Sequence, residues 1–259
     1  MRPIIQLKQN INYLCFVLFL IAFGCQDENY KKERIQADIH LLDKQSEIDS
    51  TINAFVKPYR NRLTAEMDSV LAYAPKSLSK KDSRYNTAIG NMMADAVFEF
   101  ANPIFQKRKG SPFDAVLLNY GGIRASLNQG VVTTRTAYNI MPFENEIVVV
   151  ELNSTQINEM FEYLEQGTAH PIAGMAITLD AAERVKTSKT QGKVIEEDKT
   201  YFIATTDYLQ QGGDHMDFLT QPLSIINLDY KMRTVLIDYF KKYDTIAPVV
   251  DDRFIRLAN

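Results

Sequence analysis

Two glycines and an arginine follow a short apolar run near the middle of the chain. Residues 116–125 read Val-Leu-Leu-Asn-Tyr-Gly-Gly-Ile-Arg-Ala. The apolar residues predict a buried strand that ends at Asn119, and Gly121 and Gly122 permit a tight turn with close backbone approach. Backbone N–H groups and the guanidinium of Arg124 could then bind an oxygen-rich ligand. A generic turn also explains the paired glycines.

Two further segments carry aromatic side chains that could stack on a planar base. Residues 141–145 read Met-Pro-Phe-Glu-Asn, and Tyr208 lies six residues before Asp214 across a Gly-Gly turn. Stacking on an aromatic ring stabilises a bound base by roughly 1–3 kcal/mol. A carboxylate such as Asp214 can accept hydrogen bonds from ribose hydroxyls. The alternative for Phe143 is a place in the hydrophobic core.

The elements that must position these residues alternate between helix and strand. Apolar residues at helical spacing predict helices over 48–63, 89–100, 154–164 and 232–240. Short apolar runs predict strands over 115–118, 147–152 and 201–205. Asn153 or Ser154 opens the third of these helices, with Gln156 suited to a capping box. The alternation predicts an α/β or α+β fold, with helices packed on a layered mixed sheet.

Taken in order, four segments resemble the 5′-nucleotidase C-terminal domain family. Residues 89–96 are similar to its Gly-Asn…Ala-Asp-Ala element, and residues 119–124 are similar to Asn-Gly-Gly-Gly-Ile-Arg. Residues 133–145 resemble Ile-Thr…Leu-Pro-Phe-Gly-Asn, and residues 200–214 resemble Thr-Tyr-Arg-Val-Ala-Thr-Asn-Phe…Gly-Gly-Asp. The resemblance implies the family's fold and its ability to recognise a nucleotide.

The resemblance also implies a role for individual residues, none of them catalytic and none a metal ligand. The substrate-binding residues would be Phe143, Tyr208, Asn145, Asn119, Arg124, Asp214, Gly122 and Arg84. The two rings would clamp the base, the two amides would hydrogen-bond it, and the carboxylate would bind the ribose hydroxyls. The arginines would face the phosphate, although Arg84 stands one residue out of the family's register.

Three residues depart from the family pattern beside these positions. Tyr120 replaces the first glycine of the triple-glycine turn, which could narrow the pocket. Glu144 replaces a glycine next to the stacking Phe143, where an acid could repel phosphate or select a different base. His215 follows Asp214 where glycine is usual. The departures bear on substrate preference.

Complete members of the family carry a preceding calcineurin-like domain whose two metal ions are held by clustered carboxylates and imidazoles. The histidines of this chain, His40, His170 and His215, lie far apart and outside such motifs. We therefore expect no cofactor in this chain, and divalent metals on a separate calcineurin-like metallophosphoesterase subunit of a split 5′-nucleotidase. The alternative is a non-catalytic surface lipoprotein that binds nucleosides or nucleotides. A net charge of −3 argues against a nucleic acid partner.

The N-terminus has the features of an export signal. Arg2 and Lys8 precede an apolar run over residues 13–23, which Gly24 and Cys25 follow. This order resembles a bacterial lipobox. It predicts a lipoprotein signal peptide over 1–24, a tether over 25–47 and the nucleotide-binding domain over 48–259. Lipidated Cys25 would anchor the protein to the outer membrane, at its periplasmic face or the cell surface. A plain secretory signal and an uncleaved anchor are the alternatives.

Overall fold

The computed structural model describes Ala37, Ile39 and residues 48–258. The predicted signal peptide, the lipidation site Cys25 and most of the predicted tether lie outside these residues. From Thr51 onward the chain forms one compact unit. Between residues 48 and 258, no helix is both long and apolar enough to cross a membrane.

The bounds of the helices are α1 Ser50–Met67, α2 Ala88–Lys109, α3 Thr134–Ile140, α4 Ser154–Leu164, α5 Asp207–Gln210 and α6 Met232–Lys242. Four of these helices, α2 to α5, follow a residue whose side chain caps their first turn. Thr87 caps α2 by accepting a hydrogen bond from the N–H of Gly90 at 3.2 Å. Asn153 and Gln156 form a capping box at the start of α4, so that prediction is confirmed.

In the described part of the chain, the strands form three sheets. Their bounds are β1 Val70–Ala74, β2 Ala115–Leu117, β3 Gly130–Thr133, β4 Glu146–Asn153, β5 Ile172–Ala173, β6 Met175–Leu179, β7 Val185–Thr190, β8 Lys193–Val194, β9 Thr200–Thr206, β10 Ser224–Lys231 and β11 Phe254–Arg256. The central sheet has the order β10-β4-β9-β2-β5, a second has the order β11-β6-β7-β8, and β1 pairs with β3. In the central sheet β2 and β9 are parallel, whereas the other neighbours are antiparallel.

Both faces of the central sheet are buried in hydrophobic cores. Val149 of β4 packs in one core and Val150 in the other, because successive side chains of a strand point to opposite faces. Helices α2 and α6 contribute to the first core, and α4 contributes to the second. Burial on both faces explains the continuous apolar run Ile147–Val150 in this strand. The predicted layered mixed α/β architecture is confirmed.

Helix α1 differs from the other long helices because none of its residues is buried. Its apolar side chains follow the predicted helical spacing, and Phe55 and Tyr59 approach each other with ring centroids 5.8 Å apart. Pro58 lies inside the helix without ending it. The sequence pattern therefore predicted this helix, although its apolar face does not enter the core.

Candidate functional site

The sheet topology brings three chain segments to one edge of the central sheet. Because β2 and β9 are parallel, their carboxyl ends lie at the same edge, where antiparallel β4 begins. Asn119 follows β2, Tyr208 follows β9, and Asn145 immediately precedes β4. Residues far apart in sequence therefore converge, and Asn119 contacts Asp214 across 95 positions.

A cavity of about 230 Å³ lies at this edge. Its walls are formed by Asn119, Gly121, Gly122, Arg124, Met141, Phe143, Asn145, Thr206, Tyr208 and Asp214. All the predicted substrate-binding residues except Arg84 are among them. We call this space the first cavity.

Asp214 links the two sides of the first cavity. One of its carboxylate oxygens, Oδ1, accepts a hydrogen bond from the Tyr208 hydroxyl at 2.9 Å, and Oδ2 accepts one from the Asn119 amide at 2.7 Å. The bond to Asp214 raises the pKa of the Tyr208 hydroxyl, so this hydroxyl remains a donor at neutral pH. Tyr163 donates a hydrogen bond to the Asp214 carbonyl oxygen at 2.9 Å. A carboxylate offers about four acceptor positions, so Asp214 can still bind a ligand hydroxyl.

Two glycines at the site are packed closely against side chains that line the first cavity. A Cβ atom on Gly122 would lie 2.7 Å from the Oδ1 atom of Asn119. A Cβ atom on Gly213 would collide with the Tyr208 ring. Larger residues at either position would therefore displace a side chain that lines the first cavity.

The two predicted stacking rings are both available to a ligand. Phe143 is 43% exposed and Tyr208 is 47% exposed, and both rings line the first cavity. The guanidinium carbon of Arg124 lies 5.7 Å from the centroid of the Phe143 ring. Arg124 also donates a hydrogen bond to the Gly121 carbonyl oxygen at 3.3 Å. These contacts hold a cation beside an exposed aromatic face.

Asp207 supports the first cavity and was not identified from the sequence. Its Oδ1 atom accepts hydrogen bonds from the Asn145 amide at 3.1 Å and from the backbone N–H groups of Glu146 and Tyr208 at 3.2 Å and 2.8 Å. It thereby joins the start of β4 to the end of β9. The position directly after the apolar strand was the only sequence signal for this role.

Arg233 fixes the loop that carries Phe143, and it too was missed. Its guanidinium donates to the carbonyl oxygens of Pro142 at 3.1 Å and Phe143 at 3.4 Å. It also pairs with the Oε1 atom of the Glu144 carboxylate. The ammonium of Lys231 pairs with the other oxygen, Oε2, at 2.5 Å. The charge of Glu144 is therefore compensated by two cations and not directed alone at the ligand.

Two other residues named from the sequence lie outside the first cavity. Arg84 forms a bidentate ion pair with Glu183, at 2.7 Å and 2.6 Å, and the structure does not bring it to the first cavity. His170 is buried, and its Nδ1 atom accepts a hydrogen bond from the Tyr120 N–H at 3.2 Å. Burial lowers the pKa of His170 to about 4, so the imidazole is neutral at pH 7.

The chemistry of the first cavity does not fit a pair of metal ions. The carboxylate in its walls belongs to Asp214, and both oxygens of that carboxylate already accept hydrogen bonds from protein side chains. Arg124 adds positive charge, which disfavours a metal cation. Across the part of the chain that the structure describes, no group of three or more His, Cys, Asp and Glu side chains could hold a metal. The amides, carboxylate, guanidinium and rings suit an organic anion.

The fold and the first cavity define a layered α/β domain with a ring-lined polar site. The family model "5′-nucleotidase, C-terminal domain" matches residues 68–221, which is more than half of the chain. The chain therefore belongs to the 5′-nucleotidase C-terminal domain family.

Proteins and solved structures that are similar to this chain include several 5′-nucleotidases. The 5′-nucleotidase of Vibrio cholerae is 24% identical over 251 residues, which cover 92% of this chain and 42% of that protein. The trifunctional nucleotide phosphoesterase YfkN of Bacillus subtilis is 25% identical over 234 residues, covering 82% of this chain and 15% of that protein. The 5′-nucleotidase precursor of Thermus thermophilus has the same fold, with a TM-score of 0.67 at 21% identity, over 81% of this chain and 43% of that one. The chain thus spans less than half the length of these relatives.

Proposed function

We propose that this chain is the nucleotide-recognition subunit of a split 5′-nucleotidase, anchored to the outer membrane through a lipid on Cys25. The observation that carries the proposal is the pair of exposed rings, Phe143 and Tyr208, in one cavity with Asp214 and Arg124. Each group matches one part of a nucleotide. Family membership supports a ligand of this class.

The base would lie between Phe143 and Tyr208, where an aromatic face contributes roughly 1–3 kcal/mol per stacked base. The amide of Asn145 would hydrogen-bond the base edge, because Asp207 holds it through Nδ2 and leaves Oδ1 as an acceptor. Asn119 would contribute a second amide. Stacking on the two rings would tolerate different bases. Hydrogen bonds to the two amides would set the preference for one base over another.

The ribose hydroxyls would donate to Asp214, and the 5′-phosphate would point toward Arg124. A guanidinium binds phosphate through charge-assisted hydrogen bonds that are about twice as strong as neutral ones. The chain would thus hold the nucleotide with its phosphate facing away from the base clamp. Its part in hydrolysis is to bind and orient.

The metals and the hydrolytic centre would belong to a separate calcineurin-like metallophosphoesterase subunit. The domain matches less than half of each complete relative, and its cavity donors do not fit a two-metal centre. When bound in the partner, the two metals would activate water and stabilise the phosphate charge. Phosphomonoester hydrolysis would then require both subunits.

Calorimetry on two substitutions tests the binding half of the proposal. We expect Phe143→Ala and Tyr208→Ala each to weaken nucleotide binding roughly 5- to 150-fold, the value of one stacking face. Tyr73→Ala is the matched control, because Tyr73 is also 47% exposed and lies on β1, away from the first cavity. Unchanged affinity in both site variants would exclude the base clamp.

Phosphate release tests the catalytic half. The purified chain is expected to release no phosphate from AMP with Mn²⁺, Co²⁺ or Zn²⁺, and release should begin when the metallophosphoesterase subunit is added. Turnover by the chain alone would overturn the split arrangement. Nucleotide binding without any stimulation of the partner would favour the second candidate, a non-catalytic nucleotide-binding lipoprotein. That candidate is kept because every proposed ligand contact lies within this chain.

A further inference from the structure

A second cavity adjoins the first one across a shared wall. It has a volume of about 620 Å³ and shares Gly121, Tyr208 and Asp214 with the first cavity. Ligand sites for small organic molecules usually measure roughly 300–1,000 Å³. The first cavity alone, at about 230 Å³, falls below that range, so the two together suit a ligand larger than one nucleoside.

Ring-bearing side chains form much of the second cavity. Tyr120, Tyr163, His170 and His215 all line it. Tyrosine and histidine present flat apolar faces together with polar edges, and such faces are suited to stacking on a planar heterocycle. His170 is buried, so the faces open to a ligand are those of the half-buried Tyr120 and Tyr163 and the exposed His215, and these favour a second aromatic ring.

Two of these rings stand where the family pattern has glycine, and they reach the same cavity from different turns. Tyr120 begins the turn Tyr120–Gly122, and His215 ends the turn Gly213–His215. Asp214 and His215 have φ values of 54° and 60°, a region that costs free energy for residues with a Cβ atom. A glycine at this position would avoid that cost. The free-energy cost of His215 must therefore be offset by a contact that its side chain makes, or be retained because the side chain binds a ligand.

Tyr120 is held through its backbone on both sides of the peptide and through one contact to its ring. Its backbone N–H donates to His170, and Lys80 donates to its carbonyl oxygen at 3.3 Å. The Lys80 ammonium also lies 4.3 Å from the centroid of the Tyr120 ring. A fixed ring loses little conformational entropy when a ligand stacks on it.

We propose that the second cavity binds a second nucleobase, joined through the ribose 3′-oxygen of the nucleotide held in the first cavity. This inference rests on the proposed function, in which Asp214 binds the ribose hydroxyls. Asp214 lines both cavities, whereas Arg124 lines only the first, so the hydroxyl side of the ribose faces the second cavity and the phosphate side does not. The 5′-phosphate leaves in another direction, toward Arg124.

The ligand class is therefore a 5′-phosphorylated, 3′,5′-linked dinucleotide. A ribonucleotide of this kind keeps its 2′-hydroxyl free to donate to Asp214. The net charge of −3 argues against a long nucleic acid strand, which binds through clustered cations along its backbone. The proposed ligand is a short fragment and not a polymer.

Calorimetry on the purified chain tests the ligand class. The probes are the four 5′-mononucleotides, the matching 5′-phosphorylated homodinucleotides, the nucleoside 3′,5′-bisphosphates, and NAD⁺, in which two nucleosides are joined through their 5′ ends. We expect a dinucleotide to bind about tenfold more tightly than its mononucleotide, as one added stacking contact would give. The bisphosphate, which adds the phosphate without the ring, should gain nothing. An equal gain with the bisphosphate, or a gain with NAD⁺ alone, would overturn the proposal.

Two substitutions test the location. Tyr120→Gly and His215→Gly introduce the residue of the family pattern, and His215→Gly also removes backbone strain, so the fold should be retained. Both should abolish most of the dinucleotide advantage and leave mononucleotide affinity unchanged, whereas Tyr73→Ala should affect neither.

If the advantage persists in both variants, the second cavity is not the site. If mononucleotides bind and dinucleotides gain nothing, this inference fails alone. If no probe binds, the proposed function fails with it.

Discussion

The hydroxyl of Tyr208 donates a hydrogen bond of 2.9 Å to the carboxylate of Asp214. This contact connects a ring proposed to stack on the base with a carboxylate proposed to bind the ribose. Asn119 holds the other carboxylate oxygen at 2.7 Å. The orientation of Asp214 therefore depends on one side chain after β2 and another in α5.

Removal of the Tyr208 hydroxyl should separate stacking from ribose recognition. Tyr208→Phe keeps the ring and deletes one hydrogen bond to Asp214, so we expect ribonucleotide affinity to fall by about two- to tenfold. Binding of 2′,3′-dideoxynucleotides, which lack the hydroxyls that Asp214 would accept, should change less. Calorimetry with both ligand types checks this, and an equal loss for both would place the effect in the stacking contact.

A methyl group at Gly122 should disturb the site more than the fold. In Gly122→Ala the new Cβ would lie 2.7 Å from Asn119 Oδ1, forcing Asn119 away from Asp214. We expect at least about tenfold weaker nucleotide binding, the value of a hydrogen bond to a charged group. Urea denaturation should show a loss of only about 1–3 kcal/mol for the local overpacking. Wild-type affinity in the folded variant would contradict the proposed role of Asn119.

The helices and strands that could be predicted are those whose apolar residues form a clear pattern along the sequence. Helix α2 and the run Val148–Val150 are of this kind, because burial leaves a period of 3.6 in a helix and a continuous apolar run in a doubly covered strand. Strand β7 was not predicted, because it reads Val-Lys-Thr-Ser-Lys-Thr and its residues are mostly half-buried or exposed. Its pairing with β6 depends on distant residues that no local pattern reveals.

The same distinction applies to the candidate site. Phe143 and Tyr208 could be named because the family motifs contain them. Asp207 and Arg233 could not, since they act through hydrogen bonds to backbone groups that are close only in the folded chain. Arg84 could be named by its sequence position, but that position did not reveal its ion pair with Glu183.

Arg233 should control both stability and binding through the Phe143 loop. Its side chain is only 8% exposed, and Arg233→Met would leave the carbonyl oxygens of Pro142 and Phe143 without this donor. We expect a loss of about 1–3 kcal/mol in unfolding free energy, together with weaker nucleotide binding in calorimetry. Arg233→Lys keeps the charge but lacks the planar fork, so it should fall between the wild type and Arg233→Met.

Arg135→Met is the control for Arg233. Its ion pair with Asp68 is exposed on both sides, and such pairs contribute at most about 1 kcal/mol. The control should leave nucleotide affinity unchanged. If Arg233→Met matched it in both measurements, the guanidinium would not be positioning the loop.

The buried imidazole of His170 should make the fold sensitive to acid. Its pKa falls from an ordinary value of 6.5 to about 4 in the folded chain because of burial. Between these values the unfolded chain binds one more proton than the folded chain, so stability is present in full above pH 6.5 and is lost as the pH falls toward 4. Proton linkage converts the difference to about 3 kcal/mol.

Urea denaturation between about pH 4 and pH 7 measures this loss. His170→Asn keeps an acceptor for the Tyr120 N–H but cannot titrate in this range, so its unfolding free energy should vary less with pH than that of the wild type. His215→Asn is the matched control, since that imidazole is exposed and asparagine tolerates its positive φ. We expect its profile to parallel the wild type. Parallel profiles for all three proteins would show that His170 does not set the acid limit of the fold.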